Sequence, residues 1–506
     1  MDSFEGRTAA TEANTEVGRA ILIATLTASP PPSADFDLAS ADWLEVRADL
    51  VGDLDPAPLR RAFPGRLLYT LRSRAEGGAT EISPERRKRR LLDAAARYDL
   101  VDLEMARDLT PDILRAIPAN RRVISWHGPV TPLAGLQSTF KRMATVEALL
   151  YKLVPAATQA GEELAALLFL KGLERRDVIA FCTGLAGVWT RLAAPRLGAP
   201  VVFGSAGDLA GAPGQPSIRR LVEDFGLPAL PPVEALFGVV GNPVSHSLSP
   251  RIHNAAYREL GIPALFLPFH ADSFGDFWLE VVESGALEEI GLPIRGLAVT
   301  TPYKEAALAV AGAESPRAGL IGAANTLVWN QGVWEGEATD PDGIVSPLRE
   351  RGIAIKGRAA AVVGTGGAGR SAAAGLATAG ARVTLFNRGA ERGLQASSLL
   401  GLPFVPLADL DPSGFDILVN ATSLGRQEGE PLPFPVDALR PGAVVIDMVY
   451  RTAPTPLLRA AAERGAVTVD GREVLIGQAA GQFRMMTGRE LPVALARRVT
   501  GLESAA

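Results

Sequence analysis

The chain has 506 residues, of which 47% are hydrophobic and 21% are charged, and its formal net charge is -5. This length predicts about three domains with large buried cores, and the charge balance argues against nucleic acid as a partner. Cys182 is the only cysteine, which excludes an internal disulfide and a cysteine-rich zinc site and favours a reducing, cytoplasmic setting. No run approaches the roughly 18 apolar residues of a membrane span.

The first part of the chain alternates apolar strand candidates with helical patterns. Residues 1–18 are polar and lack the features of a secretion signal, so we expect a loose tail there. Strands that alternate with helices over residues 19–230 predict a (β/α)8 barrel, with its functional groups at the carboxyl ends of the strands. The strand candidates are ILIATLT, WLEVRAD, RLLYTLRS, LVDLEMA, RRVISWHG, LLYKLVP, VIAFCTG and APVVFGS.

Lys152 stands in the middle of an otherwise apolar candidate, LLYKLVP. An ammonium in such a strand is costly unless its charge is paired or its pKa falls, and a lowered pKa makes a lysine an imine-forming nucleophile. The alternative is a lysine at a strand end whose amine reaches water.

A Pro-rich segment, GLPALPPVEAL, predicts a linker that ends near residue 234, and a new α/β pattern follows it. Further on, the sequence AAAVVGTGGAGRSAAAGLATAGARVTLFNR places a glycine-rich turn between a strand and a small-residue helix, which is the context of a dinucleotide fingerprint. A tight turn with close helix packing is the alternative. The turn residues are Gly364, Gly366, Gly367, Ala368 and Gly369.

The end of the next strand candidate predicts which dinucleotide is bound. A NAD-specific domain carries an acid there, whereas this chain has Asn387 and Arg388, with Arg392 a turn later. A guanidinium favours a 2′-phosphate and hence NADP, although an exposed arginine at a strand end is also common.

Motifs around Lys152 resemble type I 3-dehydroquinate dehydratase over about residues 20–230. They are WLEVRAD, YTLRSRAEGG, VDLEM, SWHGP and APGQPS. The resemblance implies that Lys152 forms a Schiff base with 3-dehydroquinate and that His127 is the base and later the acid, although a histidine by itself could equally be a packing residue. Glu76 and Asp102 would orient the histidine or the lysine. The implied substrate ligands are Glu45, Arg47, Arg72, Arg191 and Gln215.

A second set of motifs resembles the shikimate dehydrogenases over about residues 235–506. It comprises GNPVSHSLSPRIHNAAY, VTTPYKEA, IGAANTLV, ATDPDG and NATSLG. The resemblance implies a shikimate-binding domain over residues 235–342, completed by about 470–506, and a Rossmann NADP-binding domain over 343–469. Lys304 and Asp340 would be the catalytic pair, since reducing a ketone requires a proton donor at the developing alkoxide. A solvated lysine is the alternative for Lys304.

The same resemblance assigns binding residues. Those implied for the substrate are Ser247, Ser249, Thr300, Asn325, Gln478 and Tyr450. Thr422 and Ser423 are implied near the nicotinamide, and Met448 is implied as a further cofactor-binding residue. His246 and His253 are expected in loop structure or packing, and no metal site is expected.

The chain departs from the two family patterns at several positions. Gly211 replaces a usual serine, Ala298 and Ala338 replace usual asparagines, and Pro341 replaces a usual glycine. We favour the interpretation that the two alanines mark lost contacts to the substrate ring. The alternative is that they reflect a local repacking. A lost hydrogen bond costs about 0.5–1.5 kcal/mol. Asp342 could compete with Asp340 for the acid role.

Together these patterns predict a fused enzyme of the shikimate pathway that dehydrates 3-dehydroquinate to 3-dehydroshikimate and reduces this product to shikimate with NADPH. Small molecules, and neither nucleic acid nor a membrane, are its expected partners. One alternative is a dehydrogenase for quinate or a related ring acid, with a weakened dehydratase. Another is a catalytically silent regulatory protein that binds the same metabolites.

Overall fold

A computed structural model describes residues 18–28, 38–207, 209–451 and 453–502. Apart from Gly18, the predicted tail lies outside the described residues. The chain divides into two compact units, Met1–Ala235 with Pro263–Pro293, and Leu236–Ile262 with Ile294–Ala506. Among the described helices, none combines the length and apolar character that crossing a membrane requires.

The first unit contains a nearly closed barrel of eight parallel strands, which confirms the predicted (β/α)8 architecture. Each strand lies within one of the candidates read from the sequence. The strands are β1 (Ile21–Leu26), β2 (Trp43–Arg47), β3 (Arg66–Thr70), β4 (Leu100–Glu104), β5 (Arg122–Gly128), β6 (Leu150–Pro155), β7 (Val178–Ala180) and β8 (Val201–Ser205). Their hydrogen-bonded order is β7-β6-β5-β4-β3-β2-β1-β8.

Helices cover the outside of the barrel, so most strand residues are buried on both faces. This explains why the strands are apolar runs rather than alternating patterns. Side chains of Asp55, Ser83 and Ser217 accept backbone N–H groups at the starts of the second, third and eighth helices. The helices are α1 (Ala48–Val51), α2 (Pro56–Ala62), α3 (Pro84–Arg97), α4 (Pro111–Ala116), α5 (Leu133–Met143), α6 (Leu164–Lys171), α7 (Val188–Ala193) and α8 (Ile218–Phe225).

The predicted linker lies between α8 and the next strand, β9 (Ala235–Gly241). The segment Pro263–Pro293 belongs to the compact unit of the barrel, although the sequence groups it with the shikimate-binding domain. It contains β10 (Ala264–His270), α10 (Phe274–Phe277) and α11 (Ala286–Glu289).

The second unit contains a mixed sheet and the helices that pack around it. In this sheet β9 pairs with β11 (Ile294–Val299), which is followed by β13 (Thr326–Asn330), β14 (Val333–Glu337) and β12 (Ala313–Glu314). The helices are α9 (Ser249–Leu260), α12 (Lys304–Val310), α13 (Pro316–Ile321), α14 (Asp340–Glu350), α18 (Gly471–Thr487) and α19 (Val493–Val499). The terminal helices α18 and α19 return to this region and pack on α9.

A six-stranded parallel sheet in the same unit has the predicted Rossmann topology. Its strands are β15 (Ala359–Val363), β16 (Arg382–Asn387), β17 (Phe404–Pro406), β18 (Ile417–Asn420), β19 (Val444–Asp447) and β20 (Val467–Val469). The helices that connect them include α15 (Gly367–Thr378), α16 (Ala390–Leu400) and α17 (Pro456–Glu463). The order is β17-β16-β15-β18-β19-β20. The strand order reverses between β15 and β18, and open sheets of this kind bind ligands in that crevice.

Candidate active sites

A cavity of about 820 Å³ is lined by residues from the barrel strands and the loops that follow them. Asp102 lies beside the cavity, with its Oδ2 4.0 Å from Lys152 Nζ. The structure therefore brings all the predicted dehydratase residues together. Those that line the cavity are Glu45, Arg47, Arg72, Glu76, His127, Lys152, Arg191 and Gln215.

Lys152 on β6 is buried at the cavity wall, with 2% of its side chain exposed. Its Nζ lies 3.7 Å from Glu45 Oε1 and 4.0 Å from the centre of the Phe203 ring. Burial lowers the pKa of Lys152, and the positive charge of Arg72 acts in the same direction, against the two carboxylates. This lysine does not reach water, and the lowered pKa is what an amine nucleophile requires.

Glu45 on β2 is the firmly ionised neighbour of Lys152. Burial alone would raise the pKa of its carboxyl, but the positive charges of Lys152, Arg47 and Arg72 hold the pKa at about 2. Thr25 Oγ1 donates a 2.8 Å hydrogen bond to the same carboxylate. The cavity thus keeps one fixed negative charge opposite the lysine.

Asp102 on β4 is the second carboxyl near Lys152. Burial raises its pKa to about 6, although Lys152 and a hydrogen bond from Ser125 oppose the shift. Ser125 Oγ donates to Oδ1 at 2.5 Å, while Oδ2 has no hydrogen-bond partner among the described residues. This carboxyl can gain or lose a proton near neutral pH.

His127 on β5 lies next to the lysine strand. The register pairs Ser125 with Lys152, so His127, two residues later, faces the cavity as well. Its Nδ1 lies 3.2 Å from Glu76 Oε2, and its backbone N–H donates to the same oxygen at 2.9 Å. Burial lowers the pKa of His127 well below its ordinary value, and the charges of Arg72 and Lys152 add to the effect. The imidazole is therefore neutral.

The other ring nitrogen of His127, Nε2, can accept a proton when Nδ1 carries the ring hydrogen and donates it to an ionised Glu76. In the described part of the chain, Nε2 is buried without a hydrogen-bond partner. Burial and the negative charge of Glu104 together raise the pKa of Glu76 to about 8. The geometry supports a general base that is oriented by a carboxyl.

Two buried arginines, Arg72 and Arg191, each have an N–H group that can still donate a hydrogen bond to an anion. Arg191 on α7 places its guanidinium 4.3 Å over the Phe181 ring and donates from Nη1 to the Phe203 carbonyl at 3.1 Å. Burial lowers the pKa of Arg191 to about 10, and burial also lowers the pKa of Arg72. The Nε atoms of both lack a hydrogen-bond partner among the described residues. Buried donors of this kind call for an anionic ligand.

Arg47 and Gln215 also hold the loop around Gly211. Arg47 makes two 2.8 Å bonds to Asp49 and a 3.0 Å bond to the Gly211 carbonyl. Gln215 Oε1 accepts the Gly211 N–H at 2.9 Å. A Cβ at Gly211 would lie 3.0 Å from Gln215 Oε1 and 3.1 Å from Thr25 Cγ2. A serine here would require these side chains to move by a few tenths of an ångström, so the glycine fits the local packing.

Several cavity residues were not found from the sequence. They occur at the ends of apolar strands, where Thr and aromatic residues are common in any sheet. Their position at the carboxyl ends is the one signal that could have identified them. They are Thr25, Trp126, Phe181, Thr183 and Phe203.

In the second unit, Lys304 and Asp340 form an ion pair. Lys304 is the first residue of α12, and Asp340, with 2% of its side chain exposed, is the first of α14. Asn325 Nδ2 donates to the other Asp340 oxygen at 2.7 Å. Neither Thr300 nor Gln478 has a side-chain hydrogen bond to this pair among the described residues. The pair can hold a proton next to a bound ligand.

The departures around Asp340 have local explanations. Asp342 lies 3.1 Å from Arg317 Nη1 and is 46% exposed, so it does not compete for Lys304. Pro341 occupies the first turn of α14, where no backbone N–H is needed.

Ala338 belongs to an apolar cluster with Ala318, Ile321, Ala323 and Ala374. This environment favours a local repacking over a lost contact to the substrate ring at this position.

Ser247, Ser249 and Tyr450 lie together in the same unit. The Ser249 backbone N–H donates to Ser247 Oγ at 3.2 Å. The Tyr450 phenol hydrogen-bonds with Ser247, and burial raises its pKa. These hydroxyls form a neutral polar cluster that can bind a carboxylate.

The turn between β15 and α15 has the shape that a dinucleotide requires. Gly364 has a φ of 103°, and a Cβ at Gly369 would lie 1.9 Å from the Gly364 carbonyl oxygen. Apart from its chain neighbours, no described atom lies within 4 Å of the Cβ position of Gly366, the N-cap residue of α15. An open helix N-terminus without side chains fits a pyrophosphate. The Cβ position of Gly367 lies 3.4 Å from Lys304 Cδ, so the turn adjoins the Lys304–Asp340 ion pair.

The remaining predicted cofactor residues lie around this turn or at the ends of neighbouring strands. Ala368 is in the first turn of α15. Asn387 ends β16 and donates from Nδ2 to the Gly389 carbonyl at 2.8 Å, and Arg388 and Arg392 are exposed.

Thr422, Ser423 and Met448 follow β18 and β19. Thr422 Cγ2 lies 3.1 Å from the Cβ position of Gly364, and Ser423 is exposed. The Met448 backbone N–H donates to the Asn420 carbonyl at 3.0 Å. These three residues lie at the strand ends beside the point where the sheet order reverses.

Comparisons with known proteins match both parts of the chain. The model of type I 3-dehydroquinase matches residues 34–227, and that of the shikimate dehydrogenase substrate binding domain matches residues 239–327. A shikimate dehydrogenase (NADP(+)) from Syntrophobacter fumaroxidans is 39% identical over 262 residues, which are 51% of this chain and 88% of that protein. A crystal structure of shikimate 5-dehydrogenase from Thermus thermophilus, in complex with NADP(H) and shikimate, is 33% identical, with a TM-score of 0.48 and coverage of 53% of this chain and 99% of that one.

One relative spans both units. The bifunctional 3-dehydroquinate dehydratase/shikimate dehydrogenase, chloroplastic, of Arabidopsis thaliana is 30% identical over 483 residues, which cover 89% of this chain and 78% of that protein. The chain therefore belongs to the family of bifunctional 3-dehydroquinate dehydratase/shikimate dehydrogenases.

Proposed function

We propose that the barrel dehydrates 3-dehydroquinate to 3-dehydroshikimate through an imine on Lys152, and that the second unit reduces this product to shikimate with NADPH. The observation that carries the proposal is Lys152 itself, a buried amine with a lowered pKa. It lines one cavity together with a neutral His127 and two arginines that have free donors.

The dehydration begins when the neutral Lys152 amine attacks the substrate ketone. Loss of water gives a protonated imine, which withdraws electrons from the adjacent carbon. His127 Nε2 removes a proton from that carbon and then returns it to the departing hydroxyl, which leaves as water. Hydrolysis of the imine releases 3-dehydroshikimate and restores the amine. The substrate loses one water in total.

The charged side chains that surround the cavity each have a role in these steps. Glu45, which stays ionised, stabilises the imine cation. Asp102, with its pKa near 6, can exchange protons during imine formation and hydrolysis. Arg72 and Arg191 bind the substrate carboxylate, while Glu76 orients His127. Arg47 and Gln215 position the loop over the substrate.

In the second unit, NADPH supplies a hydride when it is bound. Lys304 gives a proton to the oxygen of the reduced carbonyl, Asp340 holds the ammonium in place, and the amine takes a new proton from solvent. Ser247, Ser249 and Tyr450 bind the substrate carboxylate. Thr300, Asn325 and Gln478 bind the ring hydroxyls.

The cofactor is held by residues of the Rossmann sheet. The glycine turn from Gly364 to Gly369 binds the pyrophosphate. Arg388 and Arg392 bind the 2′-phosphate beside Asn387, which selects NADP. Thr422 and Ser423 would hold the nicotinamide side of the cofactor, and Met448 would contribute to the same binding site.

The proposal includes the organisation and the location of the enzyme. A dehydratase domain over residues 19–230 precedes a shikimate-binding domain over 235–342, which residues from about 470 complete. A NADP-binding domain over 343–469 lies between these two parts. The packing of α18 and α19 on α9 supports the return of the chain to the substrate domain. The single, buried cysteine supports a cytoplasmic location.

Supplying the purified chain with 3-dehydroquinate and NADPH, and following each product by chromatography, tests the proposal. We expect 3-dehydroshikimate first and shikimate next, with one NADPH oxidised per shikimate. Quinate as the main product would mean that the chain reduces 3-dehydroquinate directly and lacks the dehydratase step. No turnover, with retained binding, would point to a regulatory protein.

A further inference from the structure

Helix α7 of the barrel carries Arg191 towards the cavity and Trp189 away from it. Residues two positions apart on an α-helix project about 200° apart. Arg191 lines the cavity, whereas Trp189 packs elsewhere and is 1% exposed. The position of the Arg191 guanidinium therefore depends on what holds the opposite face of this short helix.

Trp189 has one polar and one aromatic partner. Its indole Nε1 donates to Glu163 Oε1 at 3.3 Å. Its ring meets Phe269 edge-on, with ring centroids 5.2 Å apart and an interplanar angle of 65°. Phe269 is 0% exposed and also contacts Phe277, at a centroid distance of 5.3 Å. The indole is thus fixed in both position and orientation.

Phe269 belongs by sequence to the other catalytic module. It lies on β10, within residues 239–327 that match the shikimate dehydrogenase substrate binding domain. By contacts, however, the segment Pro263–Pro293 is part of the compact unit of the barrel. In this segment α11 packs on α6, and Glu280 Cβ lies 2.8 Å from the Cβ position of Gly161.

The Arg191 guanidinium makes few polar contacts of its own. Its guanidinium rests on the Phe181 ring and makes a hydrogen bond to a backbone carbonyl, Phe203 O. Among the described residues its Nε has no hydrogen-bond partner. The Thr190 hydroxyl accepts the Cys182 backbone N–H at 2.9 Å, which ties the helix to the loop after β7.

We propose that Trp189 is a positioning residue for the dehydratase site and that Phe269 makes this site depend on a segment of the dehydrogenase module. The contact between the two rings holds α7, and thereby the Arg191 guanidinium, at the substrate carboxylate. This inference rests on the carboxylate-binding role proposed above for Arg191.

Steady-state kinetics of the full chain with Phe269→Leu and with Trp189→Phe test the inference. Leucine removes the ring but keeps a buried apolar side chain, and phenylalanine keeps a ring but loses the N–H to Glu163. Either change should raise the KM for 3-dehydroquinate about three- to ten-fold and leave kcat within about two-fold, because Arg191 binds and does not react. Phe140→Leu, the same change in a barrel ring that contacts Tyr151 and Phe169, should leave this KM unchanged.

The same measurements in an Arg191→Ala background separate this inference from the proposed function. Arg191→Ala alone should raise the KM, and adding Phe269→Leu should then raise it no further. If Arg191→Ala raises the KM but Phe269→Leu does not, the positioning role is wrong and the carboxylate role stands. If Arg191→Ala leaves the KM unchanged, the carboxylate role is wrong. An equal effect of Phe269→Leu with and without Arg191 would also overturn the positioning role.

Discussion

Lys152 Nζ lies 3.7 Å from Oε1 of Glu45, in a cavity where the glutamate is ionised and the lysine has a lowered pKa. The carboxylate offsets part of the cost of burying the amine and provides a countercharge for an imine cation. The strand that supplies Lys152 is otherwise apolar, so the charged pair is confined to the cavity wall.

Replacing Lys152 by alanine should abolish dehydration and spare the dehydrogenase. Without the amine no imine forms, and we expect the dehydration rate to fall at least about a thousand-fold. Oxidation of shikimate with NADP+ in the same preparation should stay within about two-fold of wild type, which also shows that the chain is folded. Lys171→Ala, which removes an exposed lysine of α6, is the matched control and should leave both rates unchanged. A Lys152→Ala variant that still dehydrates 3-dehydroquinate contradicts the assignment.

The dehydratase should become more active as the pH rises through the pKa of Glu76. Burial and Glu104 raise this pKa to about 8. Below it the protonated carboxyl donates to His127 Nδ1, which places the imidazole proton on Nε2 and blocks the base. Above it Nδ1–H donates to the carboxylate, and Nε2 is free. The value of kcat/KM for 3-dehydroquinate should therefore rise with pH in this range.

Glu76→Gln provides the check on that assignment. The variant has no carboxyl to titrate, so the rise with pH should disappear. If the same rise persists in Glu76→Gln, another group controls it, and Lys152 is the first to examine.

Arg388→Ala should weaken the binding of NADPH selectively. A hydrogen bond to a charged group contributes about 1.5–3 kcal/mol, so the KM for NADPH should rise about ten-fold or more. The KM for NADH should change little, since NADH has no 2′-phosphate. Arg382→Ala, which removes another exposed arginine at the opposite end of β16, should affect neither cofactor. Equal effects of Arg388→Ala on both cofactors would make the arginine structural.

Replacing Ala338 and Ala298 by asparagine should have different effects on the enzyme. Ala338 lies in an apolar cluster and is 1% exposed, so an amide there is both crowded and short of partners. We expect Ala338→Asn to lower the free energy of unfolding by about 1–3 kcal/mol and to impair shikimate oxidation. Ala298→Asn, at the position where a lost ring contact stays our interpretation, should improve kcat/KM for shikimate a few-fold. Denaturant unfolding and steady-state kinetics measure these effects.

The sequence predicted most of the architecture because burial leaves a direct signal in it. Most residues of the barrel strands are apolar and buried, and a lysine between apolar neighbours, as at Lys152, has few explanations besides chemistry. The glycine turn was equally clear, because Gly369 must tolerate a carbonyl oxygen at 1.9 Å from its Cβ position.

Long-range contacts were beyond the reach of the sequence. Nothing in either local pattern indicates that Trp189 meets Phe269, since both read as ordinary core aromatics. The environment of Ala338 is built from residues of two helices and a loop, so the sequence suggested a lost ligand where the structure has an apolar cluster. The lowered pKa of His127 likewise arises from burial and from charges on other strands.

Trapping the intermediate tests the central claim most directly. Borohydride added to the enzyme with 3-dehydroquinate reduces an imine to a stable amine, and peptide mass spectrometry then locates the adduct. We expect the added mass on Lys152, and no adduct in Lys152→Ala or in a sample without substrate. An adduct on a different lysine, or no adduct while the enzyme turns over, would contradict the account.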